Sequence, residues 1–376
     1  MKAQPGLALS LPWRRVTAVF LIDVAVLAIA SHCPDAWQKN HAAWWVGVGV
    51  AAVITIATLV TARGIPLAWI PVERVRNWYA NPEGLLVACT QPIDHQRRFG
   101  RDVVGIREYG GRLVTVIAVA GTAGAALPSG RHHQQGISGA ALPIEAVGAA
   151  LRQFDVRLDG VDIVSVATHS DQSTWLVLRM DPQHNVAAVA ARDSLAATLA
   201  AATERLAHDI DGQHCQARPL KAAEITDMDG AVLAGLEVDR IRPHWRHLEH
   251  PDGYVASSWV SPRDITGKLL DELELSEADV TVLTIRLVTR PGGIDVSAFV
   301  RYHSKDRLPK SLLRGLNRLT GRQLDALRAS LPAPAAGRPL LMSSRELGEN
   351  EPILIRLGEA AIATPEYSPE LARMAR

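Results

Sequence analysis

The sequence is poor in cysteine and carries almost no net charge. Its three cysteines, Cys33, Cys89 and Cys215, stand too far apart for a disulfide framework or the spacing of a zinc motif. The 40 lysines and arginines are balanced by 39 acidic residues, so the chain has no net field that would attract nucleic acid. We therefore expect neither a disulfide-stapled scaffold nor a nucleic-acid partner.

Sequence signatures of catalysis are also missing. The chain contains no G-x-x-x-x-G-K-[ST], so it has no Walker A loop for the phosphates of ATP. Residues 121–124, GTAG, follow a predicted strand but lack the lysine and the full dinucleotide spacing, and a plain loop is the better interpretation. Residues 136–139, GISG, do not match the G-x-S-x-G nucleophile elbow. The prediction is a protein that is not an enzyme and needs no cofactor.

Three carboxylates leave one enzymatic alternative open. Asp155, Asp159 and Asp162 resemble the paired acids that hold a divalent cation on a sugar nucleotide. Their spacings of four and three do not match that motif, and acids at turns and helix ends are the better interpretation. The alternative function is a membrane-tethered transferase that acts on a nucleotide-activated substrate at the inner leaflet.

A histidine cluster raises the question of a metal. His244, His247 and His250 are spaced three and three, with Glu249 among them. Histidines that share a metal on a helix are usually four apart, and prolines at 243 and 251 bracket the stretch. We predict a solvated or interface cluster and no metal site.

Two long apolar runs lie near the N-terminus, Val16 to Ala30 and Trp44 to Ala62. The second contains no charged residue and is close to the ~20 residues that a helix needs to cross a bilayer. The first reaches that length as residues 11–31. Residues 1–63 are thus predicted to form a transmembrane hairpin with spans at about 11–31 and 44–62. The alternatives are a cleaved signal peptide, which the second run argues against, and a buried hairpin of a soluble protein.

The basic residues predict how the hairpin is oriented. They cluster before the first run and after the second, at Lys2, Arg14, Arg15, Arg63, Arg74 and Arg76. By the positive-inside rule both termini lie in the cytoplasm. Five of the nine tryptophans, at 13, 37, 44, 45 and 69, stand near the ends of the runs, where indoles favour the membrane interface. We expect a multi-pass membrane protein with most of the chain in the cytoplasm.

Three residues inside the hairpin are candidates for contacts with another subunit. Asp23 interrupts the first run, and a carboxylate at that depth is costly unless it is paired. An off-centre, protonated or snorkelling acid is the equally weighted alternative. Gly47 and Gly49 in the second run would let a neighbouring helix approach closely.

Residues 64–100 form a juxtamembrane segment that is basic and bears tryptophan. Pro66 and Pro71 disfavour one continuous helix at its start. A short amphipathic helix over 72–79 would lie at the lipid headgroups, with an ordinary linker as the alternative. The residues predicted to contact membrane lipid or a neighbouring subunit are Trp69, Arg74, Arg76 and Trp78.

The remainder alternates between strand and helix patterns. Residues 101–331 predict a cytoplasmic α/β domain with a mixed sheet, possibly in two halves that divide near residue 238. Strands are predicted at 103–107, 113–120, 161–167, 175–180, 215–219, 253–260, 280–288 and 294–302, and helices at 142–154, 186–210, 222–236, 262–270 and 321–331. Residues 332–376 are predicted to be a C-terminal tail with edge strands at 340–342 and 353–357.

Taken together, these segments resemble a known family. The paired apolar runs, the juxtamembrane tryptophan and arginine segment, VVGIREYGGRLVTVIAV at 103–119 and LPIEAVGAALRQFDVRLDGVDIVS at 142–165 are similar to the EccE component of actinobacterial type VII (ESX) secretion systems. The likeness covers about residues 11–210 and contains no catalytic motif.

The resemblance implies a non-catalytic structural subunit of an inner-membrane secretion complex. It implies EccB-, EccC- and EccD-like membrane subunits as partners. It also implies that the export of effector proteins is driven by the EccC-like ATPase. No functional residue is carried over from the family to a position of this chain.

Overall fold

The structure is a computed structural model. It describes residues 7–9, 13–32, 42–62, 65–87, 90–98, 100–121, 140–153, 156–190, 194–211, 215–309, 312–333, 340, 342–348 and 351–358. Most of the predicted loop at 121–140 lies outside these residues, as do Cys33, Cys89 and Asp155.

The described α-helices number ten. They are α1 Trp13–Ser31, α2 Ala42–Leu59, α3 Ile70–Trp78, α4 Pro82–Leu86, α5 Ile144–Ala149, α6 Val186–Ala190, α7 Leu195–Asp211, α8 Ala222–Leu233, α9 Gly267–Glu274 and α10 Gln323–Ala329. Short 3₁₀ turns occur at Leu67–Trp69, Pro182–Asn185, Val238–Arg240 and Pro262–Asp264.

The described strands number twenty. They are β1 Leu7–Leu9, β2 Val60–Ala62, β3 Ile65–Pro66, β4 Ile93–Gln96, β5 Val103–Tyr109, β6 Arg112–Gly121, β7 Ala141–Pro143, β8 Arg152–Gln153, β9 Val156–Arg157, β10 Gly160–Thr168, β11 Gln172–Met180, β12 Cys215–Pro219, β13 Arg242–Pro243, β14 Leu248–His250, β15 Gly253–Trp259, β16 Val280–Arg290, β17 Gly293–Ser304, β18 Asn317–Arg318, β19 Arg345–Glu346 and β20 Leu354–Arg356.

One large sheet organises the domain. Thirteen strands join it, and its main path runs β13-β14-β15-β17-β16-β10-β11-β6-β5-β4. The pairings along this path are antiparallel, including that of β10 with β16, which joins strands from before and after residue 238. The expected combination of helices with a large sheet is present, and the described sheet is antiparallel because short turns connect most of its neighbours.

The tight turns of this sheet explain its register. β5 and β6 are joined through Gly110 and Gly111, which have φ angles of +56° and +76°. Positive φ at both central residues is the type I′ geometry that matches the twist of a hairpin, and glycine adopts it at low cost. β16 and β17 pair through eleven residues each, from Val280 opposite His303 to Arg290 opposite Gly293.

Helices cover both faces of the sheet. On one face Ile163 and Leu176 pack with side chains of α5, α7 and α9. On the other, Val164 and Val177 pack with side chains of α4, α8 and α10. Successive residues of a strand point to opposite faces, so the apolar strand sequences supply both cores.

Several predicted elements differ from those observed. The helix predicted at 142–154 is the strand β7 followed by the short helix α5, and the one at 186–210 is divided into α6 and α7 with residues 191–193 outside the described part. The helix predicted at 262–270 is a 3₁₀ turn followed by α9. Near the C-terminus, β20 pairs with β7 and β19 with β17.

Candidate membrane-proximal site

The two N-terminal helices pack against each other in an antiparallel pair. Gly47 of α2 is buried against α1, and a Cβ atom at this position would lie 2.5 Å from the Cβ of Ala30. Such a contact is shorter than two carbon atoms tolerate, so glycine is what permits the helices to approach. Gly49 faces the other way, and a Cβ there would meet nothing within 4 Å.

Asp23 bonds within the chain. The hydroxyl of Thr55 on α2 donates a hydrogen bond to Asp23 Oδ2 at 2.5 Å. The other carboxylate oxygen, Oδ1, is buried and has no hydrogen-bond partner among the described residues. Asp23 therefore contributes to the packing of α1 on α2 and keeps one oxygen available.

Of these two helices, α2 has the length and apolarity of a membrane span, with eighteen residues and no charged side chain. The first, α1, contains Arg14, Arg15 and Asp23 within its nineteen residues. The structure thus shows one helix with the composition of a span among the described residues, and a second helix packed beside it.

The short helix α3 is held to the rest of the domain by its polar side chains. Arg76 forms ion pairs with Glu73 at 2.7 Å and with Asp325 of α10 at 2.8 Å. Asn77 Nδ2 donates to the carbonyl of Pro243 at 3.3 Å. Pro71 lies in the first turn of the helix, where its missing N–H is not needed.

The opposite side of α3 exposes apolar side chains. Val72 and Val75 in the helix and Trp69 in the 3₁₀ turn before it are about half exposed, and Trp78 and Tyr79 at its C-terminal end are exposed by 83% and 80% with their rings stacked. A helix on the surface of a soluble domain normally turns its apolar side inward and its charged side outward. In α3 this arrangement is inverted. Exposed apolar surface of this kind is typical of a site that contacts a membrane or another protein.

The four predicted interface residues are therefore on one short segment but do not behave alike. Trp69, Arg74 and Trp78 are exposed, whereas Arg76 is engaged by Glu73 and Asp325. The sequence interpretation did not identify Val72 and Val75 as part of the exposed surface. The available signal was the i, i+3, i+7 spacing of Val72, Val75 and Tyr79, which is typical of one face of a helix.

Two of the three carboxylates of the transferase alternative, Asp159 and Asp162, lie in the described part of the chain, and both are already bonded to other side chains. Asp162 is 1% exposed and accepts hydrogen bonds from Arg179 and Arg286 on the neighbouring strands β11 and β16. Burial favours a raised pKa, but the two guanidinium groups outweigh it and lower the pKa of Asp162. Asp159 bonds to His184 at 2.9 Å. A carboxylate surrounded by two arginines is a poor ligand for a cation on a diphosphate, so this alternative finds no support.

The histidine cluster divides in the structure. His244 and His247 stack with ring centroids 4.9 Å apart, and His244 Nε2 lies 2.8 Å from a carboxylate oxygen of Glu249. Burial and the neighbouring His244 lower the pKa of His247. His250 instead points into the domain, where its Nε2 accepts a hydrogen bond from the backbone N–H of Glu237.

Comparisons with known proteins point to one family. The sequence model described as "Putative type VII ESX secretion system translocon, EccE" matches residues 168–260. The ESX-5 secretion system protein EccE5 of Mycobacterium tuberculosis (strain ATCC 25618 / H37Rv) is 52% identical over 396 aligned positions, which cover 96% of this chain and 97% of the relative. The protein of the same name from Mycobacterium marinum (strain ATCC BAA-535 / M) is 50% identical, with the same coverage of 96% and 97%.

Proposed function

The chain belongs to the EccE family of type VII ESX secretion system components, and from this premise we propose that it is a non-catalytic structural subunit of the secretion complex in the inner membrane. Two relatives that carry the ESX-5 name support placing it in a system of that type. Its partners in this proposal are the EccB-, EccC- and EccD-like subunits, and the EccC-like ATPase supplies the energy for the export of effector proteins.

The proposed arrangement in the membrane is a hairpin. Both α1 and α2 cross the bilayer, and the basic residues that flank them keep both termini in the cytoplasm. The Thr55 hydroxyl supports the burial of Asp23 in α1, because a hydrogen bond inside the helix pair reduces the cost of placing a carboxyl group in lipid.

The observation that carries the proposal is the inverted polarity of α3. The helix begins eleven residues after α2 ends, so its exposed apolar side lies close to the membrane surface. Trp69, Val72, Val75 and Trp78 enter the headgroup region, and Arg74 remains available for anionic lipid. The bonds of Arg76 and Asn77 to α10 and Pro243 then fix the domain relative to the bilayer.

Co-purification tests the role as a subunit. The full chain carrying a cleavable tag is extracted in mild detergent, run on a native gel and its bound chains identified by mass spectrometry. We expect an assembly far larger than 40.6 kDa that contains the other membrane subunits. A free monomer, with the other subunits assembled in its absence, contradicts the proposal.

Two substitutions locate the subunit contact within the membrane. Gly49→Leu leaves the α1–α2 packing unchanged because position 49 is open within the chain, so a loss of assembly with this variant assigns Gly49 to a partner interface. Asp23→Leu removes the bond to Thr55, whose hydroxyl can bond a carbonyl of its own helix instead. Assembly that survives both variants would place the contact elsewhere.

Fluorescence reports on the position of α3. In a chain whose three cysteines are replaced by alanine, an environment-sensitive dye is attached at Val75→Cys or at Leu275→Cys, an exposed apolar position on the domain. In nanodiscs we expect a blue-shifted emission that spin-labelled lipids quench at position 75, and an aqueous spectrum at position 275. Equal spectra at the two positions would contradict the membrane contact of α3.

A further inference from the structure

The hairpin of β13 and β14 brings two imidazoles and a carboxylate together at the surface of the domain, with His244 exposed and His247 and Glu249 half-buried. Its turn is closed by a backbone hydrogen bond from His244 N–H to the carbonyl of His247 at 2.9 Å. Glu249, on β14, pairs with Arg242 on β13. Alternation along β14 turns Leu248 and His250 into the domain and leaves Glu249 outside.

The nitrogen and oxygen atoms of these side chains are close enough to share one ion. One ligand atom each from His244, His247 and Glu249 lies within 4.8 Å of the other two. Ligands of a tetrahedral zinc ion, with Zn–N distances of about 2.0–2.1 Å, stand roughly 3.5 Å apart. Small rotations of these side chains bridge the difference, because His244 and Glu249 are already in contact at 2.8 Å.

The backbone beneath this surface is held in place. The carbonyl of Trp245 accepts a hydrogen bond from Gly321 N–H at 2.7 Å, and the carbonyl of Pro243 accepts one from Asn77 of α3. Gly321 has a φ of +74°, and a Cβ there would lie 2.6 Å from the indole of Trp245. The turn that carries the two histidines is therefore packed on both sides, which reduces the entropy lost when an ion orders the side chains.

A second cluster on the domain has similar residue types but weaker chemistry. Asp159, Asp181 and His184 also bring their ligand atoms within 4.8 Å. There the guanidinium of Arg112 lies 3.5 Å from Asp159 and 3.8 Å from Asp181, and an oxygen of Asp181 accepts the N–H of Gln183. The charges of Asp159 and Asp181 are already neutralised by Arg112, and Asp181 already accepts a backbone hydrogen bond. A metal ion would have to displace these contacts, so we use this cluster as a control.

We propose that His244, His247 and Glu249 form a binding site for Zn²⁺ on the β13–β14 hairpin. Two imidazoles and one carboxylate are a donor set that suits this ion, and a water molecule completes the tetrahedron. Binding replaces the hydrogen bond between His244 and Glu249 with coordination bonds and ties β14 to the turn. Because Pro243 of β13 accepts a hydrogen bond from Asn77 of α3, the ion also stiffens the part of the domain on which α3 packs.

Metal titration of the full chain tests the site. The detergent-solubilised protein, with its purification tag removed, is titrated with ZnCl₂ by calorimetry and with CoCl₂ by visible absorption. We expect one strong site per chain and a tetrahedral Co²⁺ spectrum. His244→Ala and His247→Ala should each weaken Zn²⁺ binding by roughly tenfold or more, since even residues that only orient metal ligands cost that much. Glu249→Gln should weaken it while preserving the shape of the hairpin.

Matched variants distinguish this site from other histidines. His184→Ala removes the second cluster, His169→Ala removes an exposed histidine in a turn, and His132→Ala with His133→Ala removes the pair in the glycine-rich loop. All three control variants should bind Zn²⁺ with the affinity of the parent chain. Without metal, the unfolding temperature of each control variant should equal that of the parent chain. Absence of a strong site, or strong binding that survives His244→Ala and His247→Ala, overturns the proposal.

Discussion

Arg301 and Ser330 are joined by a hydrogen bond of 2.6 Å from the guanidinium Nη1 to the hydroxyl Oγ, in a part of the domain closed to water. The same guanidinium donates to the carbonyl of Val232 and to His303 Nε2. Val232 lies in the last turn of α8 and Ser330 caps α10, so the cation sits at two helix C-termini, whose partial negative charge favours it. Burial lowers the pKa of Arg301 to about 9, which leaves it protonated at neutral pH.

Arg301→Lys is expected to destabilise the domain although it keeps the charge. An ammonium group cannot reproduce the fork that reaches three partners, and each lost bond to a charged donor costs about 1.5–3 kcal/mol. Thermal unfolding in detergent measures the effect. The control is Arg290→Lys on the same β16–β17 hairpin, where an exposed pair with Asp295 contributes about 0.2–1 kcal/mol. Equal unfolding temperatures for the two variants would show that the three hydrogen bonds of the Arg301 guanidinium do not stabilise the domain.

Gly47→Ala is expected to separate α1 from α2, whereas Gly49→Ala is not. The added methyl group at 47 collides with Ala30, and overpacking of this kind costs about 1–3 kcal/mol. The measurement uses a chain that carries both Asp23→Cys and Thr55→Cys, because these two positions are in direct contact. The yield of the disulfide between them is determined in isolated membranes. The yield should fall with Gly47→Ala alone. Equal yields in both backgrounds would mean that the helices do not pack through Gly47.

Glu274 should make stability depend on pH. Burial and the nearby Asp271 outweigh the hydrogen bonds from Ser165 and Gln172 and raise its pKa from 4.5 to about 7. Between these values the folded state holds a proton that the unfolded chain releases, so stability falls as pH rises from 4.5 to 7 and then levels off. The loss is on the order of 3 kcal/mol.

The variant Glu274→Gln should remove this slope and be more stable than the parent chain at pH 7 and above. Unfolding temperatures from pH 4.5 to 8 provide the measurement. Glu272→Gln, on the exposed side of the same helix, should keep the slope of the parent. A parent-like slope in Glu274→Gln would exclude this carboxyl as its source.

Arg76→Gln is expected to loosen α3 while Arg74→Gln leaves it in place. Both changes remove one positive charge, but Arg76 bonds Glu73 and Asp325 and Arg74 is exposed. A loss of about 1 kcal/mol corresponds to roughly fivefold faster amide exchange in a locally opening helix. Hydrogen exchange of residues 70–78 in nanodiscs measures it. Faster exchange in both variants would indicate that the loss of a positive charge loosens α3, and that the bond of Arg76 to Asp325 of α10 has no specific effect.

Much of the local structure could be predicted from the sequence because its causes are local. The strands around Gly110 and Gly111 follow from alternation and from a turn that needs positive φ, and Cys215–Pro219 is a strand as predicted. The helix Ala42–Leu59 follows from an unbroken apolar run. Helix ends were harder, and the region of α6 and α7 reads as one alanine-rich helix when only propensity is considered.

Contacts between distant residues could not be predicted in this way. Arg76 reads as a lipid-facing cation, but its partner Asp325 lies 249 residues further along the chain. Three histidines with equal spacing read as one cluster, yet the strand β14 turns His250 inward and leaves His244 and His247 at the turn. The sequence around Asp162 does not indicate that two arginines bond to its carboxylate, because Arg286 comes from a strand 124 residues away.

Local patterns of residues were enough to predict the apolar helix near the N-terminus, the principal strands and the resemblance to a secretion subunit, since periodicity and turn chemistry are properties of neighbouring residues. Which charged groups are neutralised inside the protein, and which apolar groups remain outside, follows from the packing of distant segments. That choice depends on the order of strands in the sheet and on the docking of α3 on α10. It is therefore a property of the packed chain, and it is what leaves Trp69, Val72, Val75 and Trp78 exposed.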